Sequence, residues 1–166
     1  MSDRIVIGLD PATRASGYAV MQDDRVLVAG FYRARGVEAC GNRVAQVAEI
    51  YSWARFLVVK WALNGARPLV AVETVWFGPN AQTTLRLAEV GAVVRLAAHR
   101  AGADVVDVSP AERCKALSLP VTAGKGDVMR AVNAIYGLEV MDHNAADAVA
   151  IAAAGAGIHR REELAR

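Results

Sequence analysis

Three acidic residues stand where the pattern around them calls for something else. Asp10 ends the apolar run Ile5 to Leu9, directly before Pro11. Glu73 interrupts the aliphatic run Leu69 to Val75, and Asp147 lies inside the alanine-rich stretch AADAVAIAAA. Burying an unpaired carboxylate is costly, so each acid needs a partner. Asp10 taken alone either caps the Pro11 turn or presents a carboxylate at the end of a rigid strand, where a metal or phosphate can approach. Glu73 taken alone is either a ligand or half of an ion pair with an arginine. On a helix, positions three and four before Asp147 share its face, so Asn144 and His143 flank it. Asp142 falls on roughly the opposite side. His143 is then either a further ligand or a helix-start residue turned to Asp142 or solvent. Taken together, the acids make an oxygen-rich site suited to magnesium or manganese. A pair of such ions about 3.5–4 Å apart activates water and stabilises the leaving oxygen in phosphodiester hydrolysis.

The elements that must position these groups follow from hydrophobic periodicity and turn residues. Ile5 to Asp10 is expected as a central strand, with Ser16 to Val20 opening a second strand that pairs antiparallel to it. Asp23-Asp24 makes a tight turn into a third strand, Arg25 to Tyr32, and Arg33-Ala34-Arg35-Gly36 reads as a flexible basic link. Asn42 is expected to cap a long helix that Asn64-Gly65 ends. Leu69 to Val75 is a buried parallel strand reached through that helical crossover, broken by Gly78-Pro79-Asn80. A second helix covers 81–100, and Ala103 to Val108 is a fifth strand. Ser109 and Glu112 fit a capping box at the start of a short helix. Asp127 to Tyr136 forms a helix closed by Gly137, and a last helix runs from Asn144 to about Gly155. The expected architecture is one α/β domain over 1–158 with a five-stranded mixed sheet, followed by a frayed charged tail, 159–166.

Composition bounds the class. With 166 residues, 54% of them hydrophobic and 22% charged, the chain can bury a core and is not a disordered one. Its start, MSDRIVIGLD, has no basic region followed by a cleavable apolar stretch, and no apolar run reaches bilayer length. A cytoplasmic protein without a membrane partner is expected. Cys40 and Cys114 have neither ligand spacing nor nearby histidines, which argues against zinc and against a disulfide framework. A net charge of +2 neither demands nor excludes nucleic acid, because a carboxylate-rich site offsets basic residues elsewhere.

GLDPATRASGYAV with Asp10, AVETVWFGPNAQTTLRLAEV with Glu73 and HNAADAVAIA with Asp147 resemble the RuvC Holliday junction resolvases of the ribonuclease H-like superfamily. The likeness spans roughly residues 4–155, in the same order and with similar spacing. It implies a ribonuclease H-like α/β fold and a homodimer that binds four-way DNA junctions. It also implies symmetric nicks in two opposed strands, dependent on magnesium (Mg2+, with Mn2+ able to substitute) and on two ions per site. Water would attack the phosphodiester and leave a 5′-phosphate and a 3′-hydroxyl. Asp10, Glu73 and Asp147 take the positions of the metal ligands. Many members carry a second aspartate three residues before the helical one, where this chain has Asn144. Some have histidine there, so His143 could substitute by a small rotation of the helix start. In this respect the chain looks like a divergent, phage-type branch that also cuts other branched DNA such as flaps and forks.

The same resemblance gives Trp76 a role in stacking on bases at the junction centre, with Phe77 beside it. Lys115 and Lys125 look like the family's two active-site-side lysines. Thr13, Arg14 and Ser16 fall where the DNA backbone passes near Asp10. Arg33, Arg35, Arg43 and Arg86 are general phosphate-binding candidates. Leu85, Leu87, Val90 and Val94 on the second helix are the expected dimer interface. Two other readings stand beside this one. The first is a junction-binding protein of the same fold that does not cut, with Asn144 marking lost catalysis. The second is an actin-like sugar kinase, whose phosphate hairpin the opening also resembles. Such kinases need two lobes, and the sequence offers one such hairpin.

Overall fold

The computed structural model describes residues 4–62, 67–75, 78 and 80–165. Three strands come first: β1 (Ile5–Asp10), β2 (Ala15–Gln22) and β3 (Arg25–Arg33). The helices α1 (Val37–Cys40) and α2 (Arg43–Trp61) lead to β4 (Leu69–Glu73), and α3 (Ala81–Arg100) leads to β5 (Asp104–Val108). Then come α4 (Pro110–Ala116), α5 (Lys125–Tyr136) and α6 (His143–Leu164). The sheet order is β3-β2-β1-β4-β5. The first three strands are antiparallel, and β4 and β5 run parallel to β1 and to each other. This is the mixed five-stranded sheet expected from the pattern.

The two faces of the sheet differ in side-chain size, and that difference places the site. On one face Ile7, Leu9, Val20, Val70 and Val72 join Ile50, Val58, Val90 and Val94 from α2 and α3 in the main core. On the other face β1 alternates to Gly8 and β4 to Ala71, and α6 lies directly on them. A Cβ added to Gly8 would come within 2.1 Å of the carbonyl oxygen of Ala148, and one added to Gly155 within 2.4 Å of the Ala71 Cβ. Small residues on both sides therefore bring the α6 backbone against the strands. The aliphatic helices on the opposite face need no such approach.

Local signals act largely as the residues suggest. Asn42 caps α2 by accepting from the Ala45 N–H, and Ser109 with Glu112 forms a complete capping box on α4. Asp23 and Asp24 both take positive φ in the β2–β3 turn, and Gly137 ends α5 in the left-handed region. Three segments depart from expectation. The flexible link is ordered: Arg33 completes β3, Ala34 N–H donates to the Arg14 carbonyl, and Glu49 binds both the backbone and the guanidinium of Arg35. Helix α5 starts at Lys125 rather than Asp127, because Asp127 reaches back to the Gly124 N–H as its cap. Helix α6 continues through the tail to Leu164, supported by a His159–Glu163 pair one turn apart and by Arg160 on Asp24. Asn64, Gly65, Trp76, Phe77 and Pro79 lie outside the described residues. Among the described residues no helix is long and apolar enough to cross a membrane.

Candidate active site

Strand register brings the first two acids level. Leu9 pairs with Val72 across the parallel β1–β4 ladder, so the next residues, Asp10 and Glu73, end adjacent strands side by side. Both alternate onto the small-residue face that α6 covers. The third acid arrives because α6 lies so close. Asp10 pairs with Gly17 on β2, and a Cβ on Gly17 would stand 2.0 Å from the carbonyl oxygen of Asn144. That contact seats the first turn of α6 on the sheet. Asp142 caps the helix by accepting from the N–H groups of Asn144 and Ala145. Asp147, one turn further on, is only 5% exposed and faces the strand ends.

A basic residue completes the cluster. Arg113 on α4 places one guanidinium nitrogen, Nη1, 3.1 Å from Glu73 Oε1 and 3.2 Å from Asp147 Oδ1. These are charge contacts rather than aligned hydrogen bonds, since Glu73 Oε1 and Arg113 Nε are both buried without a hydrogen-bond partner. Glu73 is thus paired with an arginine, and Asp147 shares the same cation. Arg113 was not singled out by sequence. Its signal was only its place in the first turns of a capped helix directly after β5, whose end pairs with Glu73.

The electrostatics follow from burial and crowding. Burial, followed by the charges of Glu73 and Asp147, pushes the Asp10 carboxyl up to about 7, while Arg113 and Lys125 pull the other way. Burial also raises Glu73 and Asp147, with Arg113 and Lys125 again opposing. Three acids that burial holds against ionisation, Asp10 and Glu73 also against the charge of Asp147, are a site that gains from a cation.

The donor chemistry suits a hard divalent ion: three carboxylates share one end of the sheet, and one buried oxygen, Glu73 Oε1, has no hydrogen bond. As placed, no three His, Cys, Asp or Glu side chains among the described residues stand close enough to hold an ion. The Arg113 guanidinium lies between two of them instead. The residues fit the ion in chemistry, with Arg113 standing where it would bind.

Of the remaining candidates, Lys125 and His143 belong to the cluster electrostatically. The Lys125 charge acts on all three acids and that of His143 on Asp147. Asn144 is half-buried, with its backbone seated on Gly17. Lys115 is not at the acids: it lines a separate groove with Glu112, Tyr136, Arg160 and Arg161. Ser16 is 2% exposed and spends its hydroxyl on Ala12, accepting from the N–H and donating to the carbonyl, so it forms the β1–β2 turn. The Thr13 carbonyl accepts from Gln46, and Arg14 is exposed. Arg33 lies over the Phe31 ring, Arg35 is bound to Glu49, and Arg43 is bound to Glu89 and Gln46, while Arg86 is exposed.

Known proteins resemble this chain over nearly its full length. A family model described as crossover junction endodeoxyribonuclease RuvC matches residues 6–155. A protein of that name from Rubrobacter xylanophilus is 29% identical over 164 residues, covering 95% of this chain and 87% of its own. One from Moorella thermoacetica is 30% identical over 155 residues, covering 89% and 88%. Among solved structures, T. thermophilus RuvC in complex with a Holliday junction substrate superimposes with a TM-score of 0.78 at 24% identity, over 95% of this chain and 96% of that one. Its fold is the fold described above. By the extent of the family match, the chain belongs to the RuvC family of crossover junction endodeoxyribonucleases.

Proposed function

We propose that this protein is a structure-selective endodeoxyribonuclease that resolves four-way DNA junctions as a homodimer, placing symmetric nicks in two opposed strands. The observation that carries the reading is the meeting of Asp10, Glu73 and Asp147 at one end of the sheet, from three elements far apart in sequence. Asp10, Glu73 and Asp147 would hold two magnesium ions, or manganese in their place, with the Asn144 side-chain oxygen or His143 completing the set. When bound, the ions would supply the charge that activates water and steadies the leaving oxygen. The chain's own residues do the rest. The buried carboxylates would hold the ions at the strand ends, and Lys125, whose charge reaches all three acids, would meet the negative charge that builds on the phosphate. Thr13 and Arg14 in the turn between β1 and β2, with Arg33 at the neighbouring end of β3, would hold the sugar–phosphate backbone. Trp76 and Phe77 would stack on bases at the junction centre. The products would carry 5′-phosphates and 3′-hydroxyls.

The test uses synthetic four-way junctions, flaps, forks and linear duplex, each strand labelled in turn, with Mg2+ or Mn2+. Paired nicks in two opposed strands of the junction, resealable by ligase, are expected. Tight junction binding without cutting under either ion would overturn the nuclease reading in favour of a binding protein. Preferential cutting of flaps would overturn the junction assignment and place the chain with the divergent branch.

A further inference from the structure

The Glu73–Arg113–Asp147 arrangement is unusual for a structural ion pair. A guanidinium that serves only to neutralise buried acids ordinarily engages them through paired, aligned hydrogen bonds. Here one nitrogen, Nη1, is shared between oxygens of two different acids, 3.1 Å and 3.2 Å away. Arg113 Nε is buried with no partner, and so is the very Glu73 oxygen that Nη1 approaches. Arg113 thus acts as a point charge between two carboxylates, the role a divalent ion plays in an oxygen site, while forgoing the hydrogen bonds that would lock it there. The acids belong to β4 and α6, whereas Arg113 belongs to α4, a seven-residue helix. Movement of this one side chain would therefore free both acids without disturbing the sheet or its contact with α6.

We propose that Arg113 is a positioning residue: a resident cation that holds Glu73 and Asp147 together and yields them to the divalent ion, so that guanidinium and ion occupy the two carboxylates in turn. This rests on the metal-dependent reading above. It assigns to Arg113 a cost in ion affinity, set against a gain in order while the ion is away. Two positive charges cannot share these oxygens at such distances without strong repulsion, so the two occupancies exclude each other.

The experiment compares the full-length protein with Arg113→Gln by titration calorimetry with MnCl2 at fixed pH and ionic strength, and by thermal melting with EDTA or with saturating Mn2+. Arg113→Gln is expected to bind Mn2+ about tenfold more tightly. It should melt lower than wild type in EDTA and close most of that gap when saturated. Affinity equal to or weaker than wild type would overturn the proposal, since a merely structural arginine would lower the melting temperature without tightening the ion. Should Arg113→Gln fail to fold, the wild-type arginine Nε–Hε resonances are followed during Mg2+ titration, with Arg113 assigned through Arg113→Lys. A resonance that shifts in step with ion binding supports the exchange, and one unmoved at saturation overturns it. Wild type that takes up no Mn2+ at all would sink the metal-dependent nuclease reading as well. Wild type that binds Mn2+ and nicks junctions, beside a variant of unchanged affinity, would remove only the role of Arg113.

Discussion

Gly17 and Asn144 touch backbone to backbone: a Cβ on Gly17 would lie 2.0 Å from the Asn144 carbonyl oxygen and 2.6 Å from its carbonyl carbon. Gly17 also pairs with Asp10. One glycine thus fixes the distance between the strand that carries the first acid and the helix that carries the third.

Gly17→Ala cannot be absorbed by a flexible side chain, because what it meets is main chain. The first turn of α6 must lift, at about 1–3 kcal/mol for an overpacked contact. A displacement on the order of 1 Å at a reacting site costs about a hundredfold in rate. Gly17→Ala is therefore expected to melt several degrees lower and to cut junctions about a hundredfold more slowly while still binding them. Gly36→Ala is the control: Gly36 has φ −65° and nothing within 4 Å of its would-be Cβ. Melting curves and single-turnover cleavage of the two variants check this, and equal effects would contradict it.

The pH dependence of metal-free stability has a definite sign. The Asp10 carboxyl is raised from 3.8 to about 7 by burial and by its acidic neighbours. The folded state therefore holds a proton that the unfolded state releases. The associated stability is complete below about pH 4, falls as pH rises through 7, and is gone above it. Asp10→Asn removes this loss. In EDTA its stability advantage over wild type should grow from near zero at pH 4 to roughly 2–4 kcal/mol at pH 8. Denaturant titrations at several pH values measure the difference, and a gap independent of pH would count against the clustered-acid description.

The acids are legible in the sequence because each breaks a pattern: an acid at the end of or within an aliphatic run, or on an alanine face, is visible without a structure. Arg113 is not, because an arginine on a short capped helix breaks no pattern, and only β5 and α4 together carry it to Glu73. The expected interface on α3 is corrected by burial. Leu85, Leu87, Val90 and Val94 all suit an apolar face, yet Val90 and Val94 are fully buried against the sheet while Leu85 is 70% exposed. Periodicity finds an apolar stripe without saying whether sheet or solvent lies against it. The tail misled for a related reason: HRREELAR reads as solvated by composition, and its helix depends on partners at Arg4 and Asp24, distant in sequence.

The outward stripe on α3 carries the dimer prediction. Leu85, Ala88, Ala92 and Leu96 recur at helical spacing, and all four are exposed, Leu96 by 50%. Leu85→Glu with Leu96→Glu is expected to give a monomer in sedimentation with its melting temperature nearly unchanged, and to abolish paired nicking. Val90→Ala should leave the dimer intact and cost about 1–3 kcal/mol of stability, because it opens a cavity in the core. A wild type that sediments as a monomer with and without junction DNA would contradict the dimer.

The central claim is that Asp10, Glu73 and Asp147 act together on the scissile phosphate. Its most direct test is single-turnover cleavage of a labelled four-way junction in Mg2+ by wild type, Glu73→Gln and Asp147→Asn, with binding measured in parallel. Each variant is predicted to bind the junction as wild type does and to cut at least about a hundredfold more slowly. Cleavage by either variant at close to the wild-type rate would contradict the account.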